Sequence, residues 1–107
     1  MKIILSTTPN LQEAEKIAKS LVEKHLAACV NIVPQIVSCY EWEGEIQNDN
    51  EALMIIKTSK EKAEKVEKEI LNLHSYTLPE IIFLEPTGGY QDYKNWVLKQ
   101  VTSCCDM

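Results

Sequence analysis

The side chains best suited to chemistry stand close together: His74, Tyr76 and Glu80, within the run His74-Ser75-Tyr76-Thr77-Leu78-Pro79-Glu80-Ile81. An imidazole, a phenol and a carboxylate at this spacing can line a polar cleft that holds a metal ion or a small polar ligand. The plainer alternative is a histidine that ends a helix and hydrogen-bonds to Glu80. Cys29, in an apolar run, is either a soft metal ligand that joins His74 if the fold brings them close, or a small core residue. Lys57 precedes a helix start, where it would favour an anion or stand as a solvated strand-end charge. Asp49 and Glu51 either attract divalent cations weakly or form a solvated rim. The Cys104-Cys105 pair reads as a soft-metal site or a frayed tail.

What is missing from the sequence narrows the chemistry further. The chain of 107 residues contains no arginine, so all fixed side-chain cations are lysines. The bidentate grip on phosphate or carboxylate that arginine supplies is therefore lacking. There is no GxSxG, HExxH or P-loop pattern, and two histidines make no triad. No catalytic residue is assigned, and a non-enzymatic protein is expected. A net charge of −5 disfavours nucleic acid and anionic lipid as partners. No apolar run approaches the ~20 residues of a membrane span, and the N-terminus lacks a signal-peptide pattern. The expectation is one domain, residues 1–107, in the cytoplasm with its four cysteines reduced.

The elements that position these residues are written as a duplication. Residues 10–25, NLQEAEKIAKSLVEKH, align with residues 59–74, SKEKAEKVEKEILNLH. Ala14-Glu15-Lys16 matches Ala63-Glu64-Lys65, and His25 matches His74. Each copy lies between two apolar runs, which gives β-α-β twice. The fold class is α+β: a ferredoxin-like split βαβ (βαββαβ) with both helices on one face of the sheet. Residues 2–8 form the first strand, stopped by Pro9. Asn10 caps the first helix with Glu13 in the capping-box position. That helix buries Leu11, Ala14, Ala18, Leu21, Val22 and His25, with Ile17 on the edge. Ser59 caps the second helix, which buries Ala63, Val66, Ile70 and Leu73. The last strand of the repeat spans residues 79–85. A short C-terminal helix follows, with Tyr93, Trp96 and Val97 as its apolar face.

Between the repeats lies a long hairpin, residues 28–43 and 45–58. Glu43-Gly44 forms the turn, Pro34 marks a bulge, and Asn48-Asp49-Asn50 suggests a second. Arms of ~13 residues reach roughly 40 Å, about twice a typical strand. Such an overhang exposes pairing edges unless another chain covers it. Its tip carries Tyr40 and Trp42, which are assigned to contacts between subunits of a cyclic homo-oligomer; the alternative is that they pack on their own domain.

Several spaced segments together resemble the CutA proteins, the divalent-cation tolerance family. They are Leu26-Ala27-Ala28-Cys29-Val30-Asn31-Ile32; Ser38, Tyr40, Trp42 and Gly44; Glu51 and Lys57-Thr58; residues 74–81; and Tyr93 with Trp96. The resemblance spans about residues 3 to 98. It implies a homotrimer whose hairpins interlock about a threefold axis, and kinship in architecture with trimeric nitrogen-regulatory signal proteins. It also implies a response to metal ions such as copper, with no required cofactor. Two departures stand out: Ser75 replaces the family's usual proline, and Ser6 and Leu73 stand where copper-binding bacterial members carry cysteine and histidine. His74 remains as the sole retained member of such a site, which implies weak binding of Cu(II) or another divalent metal. The ligand cleft is assigned to His74, Tyr76, Glu80, Lys57 and Cys29, facing a neighbouring subunit. The alternative is a structural or signalling adaptor trimer without a physiological metal.

Overall fold

Local chemistry sets the element ends. In the computed structural model, which describes residues 1–102, the first strand β1 (Lys2–Thr8) stops one residue before Pro9. The helix α1 (Leu11–Glu23) is then capped by Asn10, whose Oδ1 accepts the Glu13 N–H at 2.8 Å. The capping box does not close in the expected way. The Glu13 carboxylate turns instead to Ser75, accepting from its N–H and its hydroxyl at 3.0 Å each. α1 ends in a Schellman arrangement, with Leu26 N–H bonded to Leu21 O and His25 N–H to Val22 O. His25 occupies the left-handed position there, at φ 57°.

The remaining elements are β2 (Cys29–Trp42), β3 (Glu45–Thr58), α2 (Ala63–Leu73), β4 (Ile82–Leu84) and α3 (Gln91–Val101). The sheet order is β2-β3-β1-β4, with every adjacent pair antiparallel. This is the ferredoxin-like split βαβ expected from the duplicated unit. Strand alternation divides the sheet into two faces. Ile4, Ala52, Met54 and Ile56 are buried with Ala14, Ile17 and Leu21 of α1 and Val66 and Ile70 of α2. Ile17 is therefore central in the α1 face rather than on its edge, while Leu11 and Val22 are exposed. The intervening Leu5, Leu53 and Ile55 are only half-buried on the opposite, open face. Glu69 on α2 staples the helices together: its Oε2 accepts from Ser20 of α1 and from Lys24 at the C-cap of that helix, and these bonds hold its carboxyl below the usual range.

Other expectations need correction. Ser59 does not cap α2 itself. Its Oγ accepts the Lys62 N–H at 3.1 Å, which closes the turn that feeds the helix. β4 has three residues, not seven, because residues 74–81 leave the sheet to build a wall beside the hairpin. α3 buries Val97 and Val101, while Tyr93 and Trp96 stack on each other at 5.8 Å near the surface.

In the hairpin, Val33 faces Leu53 and Ile36 faces Glu51, so β2 carries one extra residue at Pro34-Gln35. Opposite, Asn48, Asp49 and Asn50 pair in unbroken register with Cys39, Ser38 and Val37. The second expected bulge is absent because one insertion already satisfies the bend, and these polar side chains are tolerated on solvent-facing positions. Glu43 and Gly44 both have positive φ, 52° and 82°, the geometry of a two-residue turn that matches strand twist. Each arm has 14 residues, and the molecule is 47 Å long.

One core position is energetically out of place. Ser6 is fully buried, and among the described residues its Oγ has no hydrogen-bond partner. An unpaired buried hydroxyl carries a desolvation cost. Ser6→Ala is expected to raise stability by about 1 kcal/mol in urea unfolding. A fall in the unfolding midpoint would show that the hydroxyl has a partner.

Candidate functional site

His74 is where the helical repeat becomes a site. It is the C-cap residue of α2, with extended backbone (ψ 141°), and its side chain is fully buried. Its Nε2 lies 2.7 Å from the carbonyl of Thr7, so Nε2 carries the proton and donates it. Its Nδ1 accepts the Tyr76 N–H at 3.0 Å. Thr7 lies two residues past the last β1–β4 pair, Leu5 with Ile82. The imidazole thus satisfies a strand carbonyl where β4 has departed, and it sets the turn that follows. Glu80 is not its partner. The carboxylate beside His74 is Glu13, 3.4 Å from Nδ1. His25 is not an equivalent residue either: its Nδ1 lies 3.3 Å from the carbonyl of Gln100.

The turn ordered by His74 forms one wall of a cleft of about 430 Å³. Tyr76, Thr77, Leu78 and Glu80 come from this wall, Thr7 from its floor, and Tyr40, Trp42, Asp49 and Glu51 from the hairpin. The hairpin residues face the same side because Tyr40, Trp42, Asp49 and Glu51 share one face in the paired register. Tyr76 donates its hydroxyl to Glu51 Oε2 at 3.0 Å, which ties wall to hairpin. Tyr40 donates to Asp49 Oδ2. Partial burial, and then the Glu51 carboxylate, push the Tyr76 phenol up to about 12. The bond to Asp49 raises the Tyr40 phenol above its ordinary value.

The Tyr76 shift has a testable sign. Folding raises the phenol above its ordinary value of 10.0, so its contribution to stability is complete below pH 10.0 and is lost as pH rises toward about 12. Alkaline titration of tyrosinate absorbance is expected to contain a late class whose amplitude falls in Tyr76→Phe, the raised Tyr40 phenol remaining. Glu51→Gln is expected to move that class down only in part, because burial is the larger cause. An unchanged curve in Tyr76→Phe would refute the Tyr76–Glu51 coupling.

Two predicted site residues lie elsewhere within the chain. Cys29 and Lys57 pair across β2 and β3, and Lys57 is opposite Ile3 on β1. Thr7, which contacts His74, is four residues farther along β1, about 13 Å at the rise of a strand. Lys57 lies on the open face, away from the start of α2. Its Nζ donates to Asn31 Oδ1 at 2.6 Å and sits 5.5 Å from the Tyr93 ring centre. Cys29 is half-buried, with Sγ 4.0 Å from the same Asn31 oxygen. Cys104 and Cys105 lie outside the described residues. Thr7, Leu78 and Glu13 escaped the sequence reading. Thr7 is one more strand residue in its local context, and Glu13 already had a plausible role as a capping partner.

As for metal, both His74 nitrogens are engaged by the fold, so an ion there would have to displace Thr7 or Tyr76. Among the described residues, no three His, Cys, Asp or Glu side chains converge to hold an ion. The site is instead an open, acidic, aromatic-walled cleft.

A ferredoxin-like α+β chain with an overlong hairpin, and a cleft where that hairpin meets the α2–β4 junction, defines the class of protein. The chain belongs to the CutA1 divalent ion tolerance protein family, whose pattern matches residues 2–100. It is 45% identical over 95 residues to the chloroplastic CutA protein of Arabidopsis thaliana, covering 89% of this chain and 52% of the plant protein. The chain thus spans about half the length of that relative. The structure of a periplasmic divalent cation tolerance protein CutA from Archaeoglobus fulgidus superposes with a TM-score of 0.90 at 44% identity, covering 94% of this chain and 99% of that one. A PII-like CutA protein from Nostoc, in apo form, superposes with a TM-score of 0.87 at 34% identity, covering 94% and 97%. Among the described residues, no helix is long and apolar enough to cross a membrane.

Proposed function

We propose that this protein is a non-enzymatic homotrimer that binds a small polar ligand in the cleft beside His74 and takes part in the response to divalent metal ions. The observation that carries this reading is the convergence of two distant segments, 40–51 and 74–80, on one open cavity lined by polar and aromatic groups. The trimer rests on the 14-residue hairpin arms and on the half-exposed apolar face of the sheet, which a second and third copy would cover. In that assembly a neighbouring hairpin closes the open side of the cleft and brings Lys57 or Cys29 of another subunit towards it. Metal ions such as Cu(II) act as weak ligands, in competition with the hydrogen bonds of His74. A reducing compartment such as the cytoplasm suits Cys29 and Cys39, which form no disulfide among the described residues.

A thermal-shift screen of metal salts, nucleotides and small polar metabolites on the wild type and Glu51→Gln tests this reading. Ligand at ~100 times its dissociation constant adds about 2.7 kcal/mol. The expected result is stabilisation that Glu51→Gln reduces. If nothing in the screen stabilises the wild type, the cleft is structural. A signalling adaptor is the second reading. It is favoured by the likeness to the Nostoc protein described as PII-like, and it predicts a ligand that alters binding to another protein.

A further inference from the structure

We propose that the cleft selects a small organic ammonium ion. This rests on the ligand-binding reading above and names the chemistry of its occupant. Three aromatic side chains, Tyr40, Trp42 and Tyr76, line the cavity together with three carboxylates, Asp49, Glu51 and Glu80. No lysine is among its lining residues, and the chain carries a net charge of −5. Within the chain that forms it, the cavity therefore offers an anion only like charge. A neutral ligand would leave the carboxylates without compensation.

Between cations, the geometry favours an extended organic one over a bare metal. A hard metal ion needs several oxygens within about 2.0–2.6 Å of one point. Among the described residues no such trio converges. The carboxylates are instead distributed around a cavity of about 430 Å³, a volume ordinary for small-molecule sites. Aromatic faces supply the second attraction, because the ring quadrupole draws an ammonium within about 6 Å of the ring centre. Two carboxylates are also held in place before any ligand arrives. Glu51 Oε2 is held by the Tyr76 hydroxyl and Asp49 Oδ2 by the Tyr40 hydroxyl. Each phenol engages one oxygen of a two-oxygen group, so the carboxylates are oriented without being neutralised.

Choline and its uncharged isostere 3,3-dimethylbutan-1-ol separate charge from shape. Both are titrated into the full-length protein, following the Trp42 indole N–H and the Tyr76 amide by NMR. Choline is expected to shift both resonances and to bind about tenfold more tightly than the isostere. Glu51→Gln and Tyr76→Leu are each expected to weaken choline binding by about tenfold, in variants whose wild-type mass in sedimentation and wild-type circular dichroism show that they fold and assemble. Equal binding of the isostere overturns the proposal, as do choline shifts confined to other residues. Citrate and copper(II) chloride are titrated in parallel. If either moves the cleft resonances while choline does not, the ammonium inference fails and the ligand cleft stands. If no probe moves them, both fail.

Discussion

Trp42→Ala is expected to break the assembly while leaving each subunit folded. Trp42 lies at the hairpin tip, one residue before the turn, and its side chain lines the cleft with one side while the residue stays 56% exposed. A tryptophan so placed in a lone chain is poorly stabilised, and the neighbouring Tyr40 is 42% exposed as well. In a trimer the remaining surface of both rings would be covered by an adjacent hairpin. Aromatic anchors of this kind often contribute ~2–4 kcal/mol when truncated. The hairpin tip lies outside the buried core formed by α1, α2 and the centre of the sheet, so removing the indole does not open a hole in that core. Sedimentation velocity over a dilution series is expected to give a trimer for the wild type, and dissociation at much higher concentration for the variant. Circular dichroism should be nearly unchanged. A wild type that sediments as a stable monomer, or a variant trimer as tight as the wild type, would remove the role assigned to the hairpin.

The second large effect is expected from His74→Ala, and it is an effect on the fold before it is an effect on any ligand. The imidazole is buried, donates to the Thr7 carbonyl and accepts from the Tyr76 N–H. It also packs on the Tyr76 ring at 4.9 Å. Alanine leaves two backbone groups without partners and a void where the ring stood. Loss of such a side chain costs ~2–4 kcal/mol. Nearby, Ser75 gives both its N–H and its hydroxyl to Glu13. Proline could supply neither donor. The local route from α2 into the cleft wall is therefore held by hydrogen bonds. Chemical denaturation of His74→Ala should show the loss, and the Tyr76 class in the alkaline titration should return towards the ordinary phenol value. If stability is unchanged and only metal binding disappears, His74 is a ligand first and a structural residue second.

These expectations differ in how far the chain alone could have produced them. The duplicated helices, the apolar runs around them and the Glu43-Gly44 turn were readable because each depends on neighbours a few residues apart. Periodicity and capping chemistry act over one or two turns. The single bulge at Pro34 follows from a missing N–H in one residue. The site was only half readable for the opposite reason. Residues 74–80 could be picked out as a motif, but their partners could not. Glu13 looked like a helix cap until Ser75 was seen to occupy its carboxylate. Strand register sets Lys57 and Cys29 beside Ile3, about 13 Å along β1 from Thr7, so within one chain neither reaches the cleft, and only a neighbouring copy could bring them to it.

What the sequence by itself determined is the order of the elements, the two-helix core and the overlong hairpin, all consequences of side-chain pattern along a continuous chain. What only the tertiary structure decided is which carboxylates meet which phenols, and why His74 matters. Those depend on antiparallel pairing and on where β4 leaves the sheet. The pairing aligns Asp49 and Glu51 with Tyr40 and Trp42 on one face, because side chains alternate with period two. The early departure of β4 leaves the Thr7 carbonyl to be satisfied by an imidazole from 67 residues away.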